Sequence, residues 1–288
     1  MTEILPTISL IMPTRKRPDR ALFFLKSAYD KARNSSEIEI VLYVDDDDDC
    51  YNDFCSPFEQ TKIIHGPRLT MSMCNRRCAD ESSGDILFFI NDDIEVETFD
   101  WDSSIRIVHS NFEDSIYLCY PNDCFKGDKL AVFPIISRTF YDRFPIFPDH
   151  YKGSFIDAHI HETFKLLKKL GSDRINYRKD IIFRHKHYRV TGEKPDKTYT
   201  DRVRFGDDKV FLRGVFFRQE LAKKIREFIE TKKEFITPFE NNLETGSVLS
   251  AILFYLFSVS ADPRYRISIC IKFMMRFGYT LILAKKRT

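Results

Sequence analysis

The chain carries almost no excess charge: 45 Lys and Arg stand against 43 Asp and Glu, a net +2 over 288 residues. A basic stripe of the kind that follows a phosphate backbone is missing, which argues against a nucleic-acid binder. Tryptophan is nearly absent too, one residue against 27 Phe, so the core is expected to be Phe-rich. No Cys-x-x-Cys occurs. The seven cysteines (Cys50, Cys55, Cys74, Cys78, Cys119, Cys124 and Cys270) are odd in number and scattered. Cys74 and Cys78 are one helical turn apart with no second pair nearby, so free buried thiols in a reducing compartment are expected rather than a zinc site. The opening MTEILPTISL has neither a basic stretch nor a long apolar core, so no signal peptide is read and a cytosolic location is expected.

What the chain does have is alternation. Ile8 to Met12 is a short apolar run closed by Pro13, a buried strand. Pro18 then suits a first helical turn, with Ala21, Leu25, Ala28 and Ala32 forming a helical stripe. Ile38 to Val44 is a second strand, running into five aspartates, Asp45 to Asp49. Lys62 to His65 is a third, stopped by Gly66-Pro67, and Met71 to Asp80 reads as a helix. Ile86 to Ile90 is a fourth strand, ending at Asn91-Asp92-Asp93. Strands alternating with helices predict an α/β fold with a mostly parallel sheet covered on both faces. Ligands in such sheets bind beyond the carboxyl ends of the strands. Those ends carry Pro13-Thr14-Arg15, Asp45-Asp46 and Asn91-Asp92-Asp93, so three polar clusters should converge on one edge.

The second half is less regular. Tyr117 to Pro121 and Leu130 to Ile136 read as strands, Phe144 to Pro148 as a restricted loop. Ile156 to Leu170 reads as a helix stopped by Gly171, and Arg174 to His187 contains a further strand. Thr245 to Ala261 is free of charge and broken by Asp262-Pro263. Beyond it Ser268, Lys272, Arg276 and Thr280 fall at intervals of four, giving a basic face on an otherwise apolar segment that ends Lys285-Lys286-Arg287. Residues 245–287 therefore suit an in-plane membrane anchor, with packing on the core or a dimer contact as the competing reading.

The run Ile8 to Arg15, the Val44-Asp45-Asp46 strand end and the stretch Gly84 to Asp93 resemble, in order and spacing, family 2 glycosyltransferases; the similarity covers roughly residues 7–190. The resemblance implies the GT-A nucleotide-diphospho-sugar transferase fold, with a catalytic domain over 1–240 (donor half 1–97, acceptor half 98–240) and a helical tail over 241–288. It implies transfer of a sugar, a UDP-sugar favoured, to a hydroxyl of a glycan or lipid-linked glycan. Inversion and Mn²⁺ or Mg²⁺ dependence go with it, and the membrane-leaning tail suits a role in cell-envelope polysaccharide synthesis on the cytoplasmic face of the inner membrane. A metal-dependent hydrolase built on the His-x-His pairs and a non-catalytic sugar-binding or scaffold protein stay open as alternatives.

Roles follow residue by residue. Hard divalent cations prefer carboxylate and phosphate oxygens. In an extended segment Asn91 and Asp93 share a face with Asp92 opposite, so Asp93 is the expected metal ligand, with Asn91 or Asp92 towards the ribose. The resemblance puts Asp45 on the nucleobase, and a carboxylate can accept from a base N–H. Pro13, Thr14 and Arg15 would line the donor, Arg15 being equally able to pair with the aspartates. His65 and Asn75 are weaker donor contacts. The resemblance places the general base at a helix start after an aromatic loop, which selects Asp157 in Gly153 to His159; Glu162 and Asp149 are rivals, and Asp157 could instead be a helix cap. The resemblance also implies a late histidine on the metal. On a strand only one of His185 and His187 would enter the site, His185 being favoured, while His159 and His161 are expected on a polar helix face.

Overall fold

The computed structural model describes residues 5–192, 194, 207–232, 247–257, 271, 274 and 275. Strands β1 (Ile8–Pro13), β2 (Ile38–Asp45), β3 (Thr61–Gly66) and β4 (Ile86–Phe89) are parallel neighbours in the order β3-β2-β1-β4. The sheet continues through β7 (Ile135–Ser137), β6 (Leu118–Asn122), β8 (Ile175–His185) and β5 (Ile94–Val96) to eight strands. β7 is antiparallel to β4 and β6, β8 runs parallel to β6, and β5 is antiparallel to β8. The expected mostly parallel sheet is therefore present, with its two short strands antiparallel. The expected strand from Leu130 to Ile136 shrinks to β7, because Pro134 lacks the N–H that a ladder needs.

Every residue of β1 and β2 is buried, as continuous apolar runs between two layers of helices require. Side-chain alternation splits them into two cores. Leu10, Met12, Leu42 and Phe88 pack beneath α1 (Pro18–Lys31) and α3 (Trp101–Ser110). Ile11, Val41, Leu87 and Phe89 face α2 (Met71–Asp80), α4 (Arg138–Arg143) and α5 (Ile156–Lys169). Pro18 opens α1, where a missing N–H costs nothing. The single tryptophan, Trp101, is fully buried, stacks edge-on against Phe183 and donates to the Ala28 carbonyl at 2.9 Å, tying α3 to α1 and β8.

Beyond β8 come the short α6 (Tyr188–Thr191), α7 (Asp207–Arg213), α8 (Val215–Thr231) and α9 (Val248–Phe257). α9 packs Ala251 and Phe254 on the second core, with Phe254 on Phe216 at 5.7 Å, and leaves Leu249, Leu253, Leu256 and Phe257 exposed. The basic face read at Ser268, Lys272, Arg276 and Thr280 lies outside the described residues, as do Asp262, Pro263 and Lys285 to Arg287. Among the described residues no helix is long and apolar enough to cross a membrane. The cysteines depart in part from expectation: Cys74, Cys78 and Cys119 are buried, but Cys50, Cys55 and Cys124 are exposed on loops; Cys270 is outside the described residues.

Candidate active site

The three polar strand ends do converge. A cavity of about 680 Å³ is lined by Pro13, Thr14 and Arg15 after β1, by Asp45 at the end of β2, and by Asn91, Asp92 and Asp93 after β4. Arg68 and Lys152 close its other sides. Arg15 pairs with Asp45 and forks onto Asp47 at 2.5 and 2.7 Å, so the pairing left open in the sequence is present. Burial raises the Asp45 carboxyl above its ordinary range despite the Arg15 contact. Lys16, between the two arginines of this turn, adopts a left-handed backbone (φ 54°) and donates its N–H to Asp48 at 2.5 Å. That twist sends Arg15 and Arg17 to different aspartates.

Arg17 meets Asp92 at 3.1 Å, and Thr14 donates to Asp92 at 2.8 Å while sharing a hydrogen bond with the Tyr51 hydroxyl at 2.5 Å. Asp92 is thus committed to the β1 turn. Burial pushes its carboxyl up to about 6, with Arg17 opposing and Asp93 adding to the rise.

Asp93 points the other way, as the alternation of an extended segment demands. β5 begins at the next residue, and the register Ile94 against His185 carries Asp93 to the end of β8. The Asp93 carbonyl accepts from Lys186 N at 2.8 Å, fixing the turn. Asp93 Oδ1 then lies 3.3 Å from His185 Nε2, both side chains almost wholly buried. Neither ring nitrogen of His185 has a hydrogen-bond partner among the described residues.

Two ligands at right angles on an octahedral cation, each about 2.1 Å from it, stand about 3 Å apart. The pair fits adjacent corners of such an ion. Among the described residues no group of three or more His, Cys, Asp or Glu gathers. A Mg²⁺-type ion held by one or two protein groups takes its remaining oxygens from water and substrate phosphates.

A second cavity, about 280 Å³, opens beside the first and shares Met71, Asn91 and Gly153 with it. Among the described residues Asp157 is the one carboxylate in its lining, together with Asn75, His185, His187, Phe125 and Phe155. Phe155, not Asp157, caps α5, in a left-handed conformation (φ 68°). Asp157 sits in the first turn and accepts from Ala158 N at 2.8 Å. The rivals are elsewhere: Asp149 pairs with Arg76 at 2.6 Å and Glu162 with Arg218 at 3.3 Å, and neither lines either of these two cavities.

Two histidine expectations fail. β8 ends at His185, so strand parity no longer governs His187, which starts α6; both rings line the smaller cavity, 5.2 Å apart. His159 and His161 are buried, not on a polar face, because α5 packs on β8 and on α8. Tyr151 hydrogen-bonds His159 at 3.0 Å, and Ala131 N donates to His161 Nδ1 at 3.0 Å. Burial lowers both pKa values, His161 to about 3, so both are neutral core groups. His65 is exposed at the edge of β3 and lines neither cavity.

The structure adds residues the sequence did not single out. Arg17 and Tyr51 complete the Asp92 network; Arg17 could have been suspected from its place two residues after Arg15. Asp207 gave no signal. Its buried carboxylate accepts from Lys152 N, Gly153 N and Ser154 N at 3.0, 3.0 and 2.8 Å, holding the loop that lines both cavities.

No protein-family model matches the chain, and no curated protein matches its sequence. Solved structures do match. TarS 1-349 of S. aureus in complex with UDP-GlcNAc aligns at TM-score 0.50 and 11% identity, over 94% of this chain and 72% of that one. The fold is the GT-A fold. The mannosyltransferase PcManGT from Pyrobaculum calidifontis, in complex with GDP-Man and Mn²⁺, aligns at TM-score 0.48 and 11% identity, over 99% of this chain and 87% of that one. The UDP complex of TarS 1-349 aligns at TM-score 0.43 and 13% identity, over 62% of this chain; the match spans 59% of that protein's length. Within the GT-A fold, the larger cavity lies beyond the carboxyl ends of β1, β2 and β4 and the smaller one beyond that of β4, where the topology puts a ligand site.

Proposed function

We propose that the chain transfers a sugar from a nucleotide-diphosphate donor, a UDP-sugar favoured, to a hydroxyl of a glycan or lipid-linked glycan, with inversion. The observation that carries this reading is the junction of the two cavities. Carboxylates from separate strand ends, Asp45 and Asp93, line the larger one. Asp157 lines the smaller one across the shared wall at Asn91 and Gly153. A donor spanning the larger cavity would place its sugar at that wall, facing Asp157.

In this reading Asp45 and Thr14 meet the base, and Arg15 and Arg68 lie on its flank. Asp93 and His185 hold Mn²⁺ or Mg²⁺. Such an ion supplies neutralisation of the diphosphate's charge as it leaves. Asp92, engaged by Arg17 and Thr14, positions the turn rather than the ion. Asp157 takes the proton from the attacking hydroxyl, a step whose loss costs ~10²–10⁴-fold in rate. The Asp207-held loop keeps Gly153 and Ser154 against both substrates.

The exposed stripe Leu249, Leu253, Leu256 and Phe257 on α9 supports seating on the cytoplasmic membrane face, in keeping with an acceptor used in envelope polysaccharide synthesis.

The test is a melting screen of the full chain with UDP-, GDP-, dTDP- and CMP-sugars, with and without Mn²⁺, paired with Mn²⁺ binding followed by electron paramagnetic resonance. One nucleotide sugar should raise Tm more with Mn²⁺ than without. Asp93→Ala should remove the Mn²⁺ contribution and the resonance change. Asp157→Asn should keep both and lower transfer by about 10²-fold or more. Absence of any nucleotide-sugar shift, or wild-type turnover in Asp157→Asn, overturns the assignment.

A further inference from the structure

The smaller cavity is cationic at its rim in a way that donor binding does not use. Lys126 and Arg189 are exposed and line this cavity but not the larger one. Neither side chain makes an ion pair with a carboxylate among the described residues. Cations of β8 and just after it are neutralised: Arg184 by Glu97, Lys186 by Glu95 at 2.5 Å, and Arg178 by Asp180 at 2.5 Å. These two cations are also held in place. Lys126 Nζ lies 4.1 Å from the Phe125 ring centroid. Phe125 stacks on His187 at 5.6 Å and 22°, and His187 stacks on Tyr188 at 4.4 Å and 29°. Arg189 lies over Tyr188 at 5.7 Å and donates to its hydroxyl at 3.1 Å. Three stacked rings thus carry a cation at each end, and both cations line a cavity that has aromatic walls and, among the described residues, one carboxylate.

From this geometry we infer that the acceptor is an anionic saccharide, carrying a phosphate or carboxylate group that Lys126 and Arg189 engage while its sugar ring lies on the aromatic wall. The inference rests on the reading of the smaller cavity as the acceptor site. Apolar faces of sugar rings suit aromatic side chains. Stacked guanidinium and ammonium groups, fixed by cation–π contact, lose less freedom on meeting an anion than free side chains do. A neutral acceptor would leave this ladder without a use.

Three monosaccharides matched except in charge test it: methyl α-glucoside, glucuronic acid and α-glucose 1-phosphate. Binding to the full chain is followed by ligand-observed NMR, with and without UDP and Mn²⁺ filling the larger cavity. At least one anionic probe should bind about tenfold more tightly than the neutral one, and 0.5 M salt should erode the difference, since exposed charges are screened. Comparing the two anionic probes separates phosphate from carboxylate recognition. Lys126→Ala with Arg189→Ala should abolish the preference and leave UDP affinity unchanged; both residues are exposed, so the variant should fold. Equal binding of the three probes, no binding of any, or a preference that survives the double variant overturns the proposal. A loss of UDP affinity in the double variant also overturns it, because the cations would then belong to the donor. Failure of the wild type to bind UDP counts against the donor reading alone, since the probe comparison also runs without nucleotide.

Discussion

Asp207 offers the sharpest mechanical test of the site. Its Oδ1 accepts from Lys152 N, and its Oδ2 from Gly153 N and Ser154 N, at 2.8–3.0 Å, in a buried setting. Hydrogen bonds to a charged acceptor contribute about 1.5–3 kcal/mol each and are not additive. In Asp207→Asn the side-chain oxygen can occupy the Oδ2 position and keep two of the three amides. The new NH₂ then faces the Lys152 N–H, donor against donor. One charge-assisted bond is lost and two are weakened, a cost of about 2–3 kcal/mol. At roughly 2–4 °C per kcal/mol for a domain of this size, Tm should fall by about 5–10 °C. Asp207→Ala releases all three amides and should cost more. The loop lines both cavities, so the Asn variant should also lose transfer rate by about tenfold or more while its donor affinity changes less, because displacements of about 1 Å at a reacting centre are costly. Thermal melting and steady-state kinetics on the same preparation decide the matter. A Tm within about 1 °C of wild type together with unchanged turnover would refute the idea that this carboxylate holds the loop.

Two further outcomes follow from packing and titration. A Cβ at Gly84 would come within 2.9 Å of Ser9 N and Thr7 O, and 2.3 Å of Ser9 Oγ. Gly84→Ala should therefore destabilise the β1–β4 pair by about 1–3 kcal/mol, read as a lower urea midpoint; a midpoint equal to wild type would show that the strands can part without cost. His161 stays neutral in the fold down to about pH 3, whereas its unfolded form protonates near 6.5. The unfolded state thus binds more protons between those values, and stability drops as pH falls from 6.5 towards 3, by about 4 kcal/mol in all. His161→Gln should flatten that limb of the stability–pH curve; an unchanged slope would exclude His161 as its source.

The donor half was legible because β1, β2 and β4 are buried throughout. A continuous apolar run such as Ile8 to Met12 leaves no other reading once Pro13 ends it. The convergence of Thr14, Asp45 and Asp93 then followed from topology. The acceptor half resisted for physical reasons. β7 has three residues, too few for a period to show. α5 is covered on two sides, so His159 and His161 look like polar-face residues in sequence while lying in the core. His187 was misjudged because strand parity was extended two residues past the strand's end. Asp207 acts on backbone N–H groups more than fifty positions upstream, and main-chain donors have no letter in a sequence.

The register that sets Ile94 against His185 has one more consequence. The two groups suited to hold an ion come from stretches about ninety residues apart, joined only by the short β5–β8 ladder. In the proposed reading the base-facing Thr14 and Asp45 precede β4, but the ion-holding pair waits for the eighth strand. A fragment ending before β8 would keep Thr14, Asp45 and Asp93 but lack His185, the partner of Asp93. In that reading, the ion-holding pair is therefore complete only once the acceptor half has been made.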